Sequence, residues 1–159
     1  HGKCNPVRWG KANVRIVENI TNSHGEGTMS MTTDIAERAL SAAKDKALEM
    51  GVKVAIGVVD ARGDLWAMLR LDGSRWTTSE VCRGKAFAAA TFGRPSGELV
   101  ANADNPVFRS VVMMQGGRLI PAQGAVPLIV DEEVVGGVGV SGAASSEDEE
   151  IAKAGAAAI

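Results

Sequence analysis

The stretch VKVAIGVVDARGDLWAMLRLDG, residues 52–73, decides the fold. Two apolar runs, residues 52–59 and 64–71, flank Asp60-Ala61-Arg62-Gly63. A glycine closing that tetrad takes a positive φ at little cost, so the segment predicts a hairpin and an antiparallel strand pair. Strict alternation in the second run sets Leu65, Ala67 and Leu69 on one side and Trp66, Met68 and Arg70 on the other. The second set gathers an indole, a thioether and a guanidinium on one surface.

Further along, VVGGVGVSG, residues 134–142, poses a related question. Its valines ask for a buried strand. Its glycines weaken that strand unless another backbone or a flat ligand comes very close. With residues 126–130 it forms a second predicted hairpin about Asp131-Glu132-Glu133. Helical spacing over residues 33–50 puts Ile35, Ala36, Ala39, Leu40, Ala43, Ala47 and Met50 on one face, with Asp34 and Glu37 at capping separation. A second helix runs through residues 77–92. Thr77 and Glu80 are spaced to cap it, and Gly84 calls for a close contact. Asn105-Pro106 predicts the start of a short helix that ends at Gly116-Gly117. The last helix begins at Ser145 or Ser146, with Asp148 and Glu149 completing capping pairs and acids filling its first turn.

Hairpin connections between helices predict an α/β chain of the α+β type: a single, three-layer-like domain over residues 31–159, with a mostly antiparallel sheet flanked by helices. A doubly wound parallel sheet is excluded. Residues 1–30 are polar and mixed, and read as a flexible or extension segment.

A length of 159 residues with 45% hydrophobic and 23% charged content suits one domain with a real core. The formal net charge of -2 gives no general pull toward nucleic acid. No run is long and apolar enough to span a membrane. Two cysteines are too few for a disulfide scaffold, and Cys82 reads as a buried free thiol. A cytoplasmic location is the expectation, with secretion left open. The two histidines, His1 and His24, both precede the predicted domain and lack partners at ligand spacing, so no metal site is expected.

RLDGSRW, residues 70–76, is the first candidate site. Arg70, Arg75 and the first amides of the next helix are suited to a carboxylate or phosphate, while an Arg70–Asp72 pair bracing a turn is the structural alternative. Lys85 lies among small and apolar residues, where its stem packs and its ammonium reaches a pocket or an inter-subunit carboxylate. Glycines around Arg118 form either an anion nest or tight turns. Ser141, with no base beside it, is a poor nucleophile and a good backbone partner. Gly139 admits either backbone or a ligand face.

Four blocks in order, VVDARGDLWAMLRLDG, GKAFAAATF, VVGGVGVSGA and SSEDEEIAKAGAAA, resemble the haem-binding and haem-degrading family that includes GlcG, HbpS and the C-terminal domain of PduO. The resemblance implies a homo-oligomer, from dimer to octamer, and a haem, other tetrapyrrole or corrinoid ligand. It marks Arg70, Asp72, Gly73, Lys85, Gly139, Ser141 and Gly142 as matching recurrent positions. The chain departs from the family pattern at Ala88, where a threonine is usual, at Ala125 after Gly124, and at Glu132 or Glu133, where a turn glycine is usual. No histidine lies in the matching region, so Met68, Met113, Met114, an oxygen ligand or His24 would have to serve haem iron. Ligand contacts are accordingly expected from Trp66, Met68, Arg70, Arg75, Lys85, Gly139 and Ser141. A second reading is a small catabolic enzyme or accessory acting on a planar unsaturated carboxylate. There arginine clamps the substrate and Asp72 or Lys85 moves a proton in a tautomerisation or deamination. A third is structural assembly through small-residue helix faces.

Overall fold

In the computed structural model, which describes residues 30–159, four strands make one sheet. They are β1 (Ala55–Asp60), β2 (Leu65–Arg70), β3 (Ala125–Val130) and β4 (Glu133–Ser141). The order is β2-β1-β4-β3 and every neighbouring pair is antiparallel. The helices are α1 (Thr33–Glu49), α2 (Thr78–Phe92), α3 (Pro106–Met114) and α4 (Ser145–Ala156), with a 3-10 helix over Ser96–Asn102 that periodicity had not suggested. The expected extension, with Cys4 and His24, lies outside the described residues apart from Ser30. Among the described residues no helix is long and apolar enough to cross a membrane.

The sheet separates two unequal helical layers. On one face α1 and α4 pack Ile35, Ala39, Ala43 and Ile151 against Ile56, Val58, Val138 and Val140. On the other lies α2, and here the glycines of β4 find their cause. A Cβ at Gly139 would stand 2.3 Å from the Cys82 carbonyl oxygen, and one at Gly137 would stand 2.5 Å from that of Ala86. Gly57, directly opposite Gly139 in the ladder, meets the Cys82 Sγ in the same way, at 3.3 Å. Alternate glycines on β4 thus make a floor on which the backbone of α2 rests, while Val138 and Val140 point the other way into the main core. The close visitor is a helix, not a ligand.

Local chemistry departs from the sequence reading at the helix starts. Thr32, not the Asp34–Glu37 pair, caps α1: its side chain accepts from the Ile35 N–H at 3.2 Å. Thr77 makes no capping bond to α2. At α4 the acids act on the residues just before the helix. Glu147 accepts from the Ala144 N–H at 2.9 Å and Asp148 from the Ala143 N–H at 3.1 Å. Glu149 instead pairs with Lys153. The expected cap at Asn105 is present, its side chain accepting from the amides of Val107 and Phe108. The β3–β4 turn is two residues long, Asp131 and Glu132, with φ of 49° and 66°. Glu132 therefore occupies the place where the family pattern puts glycine.

The most consequential correction concerns β2. Pairing with β1 is regular from Ala55↔Arg70 to Val58↔Ala67, and then jumps to Val59↔Leu65. Trp66 is the extra residue of a β-bulge. Met68 and Arg70 stay on the α2 face with their partners Gly57 and Ala55. Trp66 instead borders Met31 and Val135, which belong to the core beneath α1. The shared surface of indole, thioether and guanidinium does not form.

Candidate functional site

The sheet places four of the expected ligand contacts in two adjacent rows. Met68, Gly57 and Gly139 lie across one row, and Arg70, Ala55 and Ser141 across the next. Two strand spacings, roughly 10 Å, separate the ends of each row. The first row is covered by α2 at Gly139. In the second, Ser141 is buried and Arg70 is exposed. Asp72 and Arg75 are also exposed, in the loop leading to α2, and no Arg70–Asp72 ion pair braces that loop.

Lys85 does not reach a pocket. Its Nζ donates to the Asp148 Oδ2 at 3.0 Å and to the Val140 carbonyl at 3.1 Å, with side-chain exposures of 6% and 3% for the pair. The ammonium is therefore held by a carboxylate across the end of the sheet and tied to the strand it crosses. Beside it on α2, Cys82 is buried, and its thiol donates to the Ser79 carbonyl. Burial pushes that thiol up to about 12, which keeps it protonated and unreactive at neutral pH.

Trp66 is the expected contact that lines an open cavity. A space of about 520 Å³ opens between the first hairpin and the start of β4, walled by Met31, Trp66, Val134 and Val135 and edged by Asp60 and Arg62. Asp60 organises its rim. One carboxylate oxygen accepts from the amides of Arg62 (2.9 Å) and Asp64 (3.0 Å), and the other accepts from the Trp66 indole N–H at 3.2 Å. The indole is thereby fixed against the turn. Arg62 pairs with Asp64 at 3.0 Å and is 84% exposed, so its guanidinium is free to swing toward a ligand. Apolar walls with one aromatic face and an exposed guanidinium suit a flat, carboxylate-bearing molecule.

The wall residues Met31, Val134 and Val135 were not singled out by sequence reasoning, because they come from the entry to α1 and from β4, far from the hairpin in sequence. Asp60 carried a legible signal: an acid opening a tight turn, two and four residues before amides that need acceptors. A second cavity, of about 240 Å³, is lined by Phe108, Arg109, Val112, Met113 and Pro121 beside α3. It brings one of the suggested thioethers, Met113, to an apolar surface. Met68 lines neither cavity. Among the described residues no group of histidine, cysteine and acidic side chains is arranged to hold a metal ion.

Comparison with known proteins agrees with this architecture. The family described as Haem degrading protein HbpS-like matches residues 31–157. The chain is 28% identical over 125 residues to a protein of Citrobacter freundii described as an uncharacterized 15.0 kDa protein in the dhaT-dhaS intergenic region, covering 78% of this chain and 88% of that one. The crystal structure of HbpS superposes with a TM-score of 0.73 at 29% identity, over 84% of this chain and 93% of its own. The structure of the PduOC:Heme complex superposes with a TM-score of 0.73 at 25% identity, over 82% and 96%.

Proposed function

This chain belongs to the haem-degrading HbpS-like family, and from that premise we propose that it binds a planar tetrapyrrole in the cavity walled by Trp66. The observation that carries the reading is the cavity itself. Its 520 Å³ falls within the roughly 300–1,000 Å³ typical of ligand sites, and its walls are apolar where a ring would lie. Trp66 stacks on the ring, Val134 and Val135 pack its edge, and Arg62 leaves Asp64 to meet a carboxylate substituent.

The donor set sets a limit on how haem iron would be held. Asp60 already accepts three hydrogen bonds, and among the described residues lining the cavity there is no imidazole or thiolate. Among the described lining residues, the soft Met31 sulfur would be the donor to hold haem iron. Haem, when bound, would supply its iron for redox chemistry. The protein residues hold the ring and its carboxylates and contribute little through the metal. The same walls therefore accept the metal-free porphyrin.

Titration of the protein with haem and with protoporphyrin lacking metal tests this. Both are expected to bind with affinities within about tenfold of each other, and Trp66→Leu is expected to weaken both by about tenfold or more. Binding that survives Trp66→Leu but is lost in Arg70→Leu would overturn the placement and move the ligand to the Arg70–Ser141 row.

A further inference from the structure

On the α2 side of the first hairpin lies a smaller cavity of about 80 Å³, separate from the one bordered by Trp66. Its walls are Gly63, Gly84, Phe87 and Ile120, and its polar groups are Glu80, Arg83 and Arg118. The walls are fixed by packing. The Gly84 carbonyl accepts from the Ile120 N–H at 3.0 Å, pinning the loop after α3 onto α2. A Cβ at position 84 would stand 2.6 Å from the Ile120 side chain and 3.0 Å from the Arg118 carbonyl oxygen, so only glycine admits the loop there. The Phe87 ring fills the space that a Cβ at Gly63 would need, and Gly63 sits at a φ of +82°. The guanidinium of Arg118 then rests over that ring, 5.1 Å from its centre.

Among the described residues neither Arg83 nor Arg118 has a carboxylate within ion-pair distance, although Glu80 borders the same cavity. Two uncompensated guanidiniums aimed at one hollow are a carboxylate fork. Glu80 disfavours a bare dianion and offers an acceptor to a hydroxyl or ammonium. The volume admits roughly half a dozen non-hydrogen atoms, judged by the ~10–15 Å³ that a single water requires, and excludes a tetrapyrrole. We propose that this cavity binds a small carboxylate carrying a neighbouring hydrogen-bond donor, with Arg83 and Arg118 on the carboxylate and Glu80 on the donor.

The full chain, labelled with nitrogen-15, is titrated with lactate, propionate and inorganic phosphate, following the amides of Gly84 and Gly117 and the thermal midpoint. Lactate is expected to shift both amides and raise the midpoint, with propionate and phosphate at least ~10-fold weaker. Arg118→Gln, an exposed change, is expected to cost lactate tenfold or more in affinity, as is Arg83→Gln. Glu80→Ala, which removes the acceptor from an exposed position, is expected to erase the preference for lactate over propionate while leaving the fold unchanged. Arg118→Gln that binds lactate as wild type does would overturn the location. Phosphate binding as tight as lactate, or a lactate preference untouched in Glu80→Ala, would overturn the ligand class. A failed porphyrin titration leaves this result unaffected, since Trp66 plays no part in it.

Discussion

At the scale of single residues, the ion pair of Lys85 and Asp148 is the most exacting contact in the molecule. Both charges are out of water, and each has a further partner: the Val140 carbonyl for the ammonium and the Ala143 amide for the carboxylate. Removing one member leaves the other buried and unpaired, which typically costs ~3–5 kcal/mol. Lys85→Met is expected to lose that much in urea unfolding, and adding Asp148→Asn, which keeps an acceptor for Ala143, is expected to recover most of it. If Lys85→Met alone unfolds at the wild-type midpoint, the pair is not holding the end of the sheet. Cys82 supplies a prediction in pH. Burial raises its folded-state pKa from 9.0 to about 12, so the native state keeps a proton that the unfolded chain releases. The associated stability is whole below about pH 9 and falls as pH rises toward 12, so the difference in unfolding free energy between wild type and Cys82→Ala should shrink with pH across that window. A constant difference would mean that the thiol meets water in the native state. The sequence made the close contact at Gly84 legible, because a glycine inside a helix needs a reason. It could not show the partner of Lys85, which lies 63 residues away along the chain.

At the scale of elements, the β3–β4 turn carries strain that one substitution relieves. Asp131 and Glu132 both sit at positive φ in a two-residue hairpin turn whose geometry favours an Asp-Gly or Asn-Gly pair. A side chain in the left-handed region costs about 1–2 kcal/mol, part of which glycine returns through the greater freedom of its unfolded chain. Glu132→Gly is expected to stabilise the domain by about 0.5–1 kcal/mol, read as a raised urea midpoint with an unchanged denaturant slope. A lowered midpoint would show that the Glu132 side chain makes a contact worth more than the strain. The hairpins, the four helices and their order were legible because period and turn chemistry are local properties. Asn105-Pro106 is the clearest example, and its cap forms as the two residues require. The 3-10 helix over Ser96–Asn102 left no such trace, since it is short and buries only Ser96 and Leu99. The bulge at Trp66 was hidden for another reason. Alternation assumes continuous pairing, and which residue is squeezed out of a ladder is decided by the partner strand. That single shift moved the indole from the Arg70 face of the sheet to the cavity between the first hairpin and the start of β4, and with it the centre of the candidate site.

At the scale of the whole molecule, α3 stands out because none of its residues is buried. Phe108 and Val112 lean on the small cluster of Phe87, Leu99 and Leu119, and Phe108 meets Phe92 at 5.5 Å between ring centres. The opposite side leaves Val107, Met113 and Met114 at 73%, 79% and 83% exposure. Large apolar side chains gathered on one exposed helix mark an association surface more often than a solvent face. Charge at the rim points to a second copy of this chain as the occupant. Asp104 and Arg109 flank the patch, both are exposed, and neither has an ion-pair partner among the described residues. A two-fold contact would place Arg109 of one copy against Asp104 of the other, twice, as a self-complementary interface requires. The wild-type chain is therefore expected to sediment as a dimer or a larger even-numbered assembly. Val107→Glu combined with Met114→Glu is expected to release monomers, because four carboxylates would then face one another across the axis. Helical content should stay unchanged, since neither side chain supports the fold. Arg109→Asp alone should weaken association, and Arg109→Asp with Asp104→Arg should restore it, the reciprocal outcome that only pairing between two copies produces. An assembly whose mass is unaltered by both pairs of substitutions would place the subunit contact elsewhere and leave α3 as a solvent-facing helix.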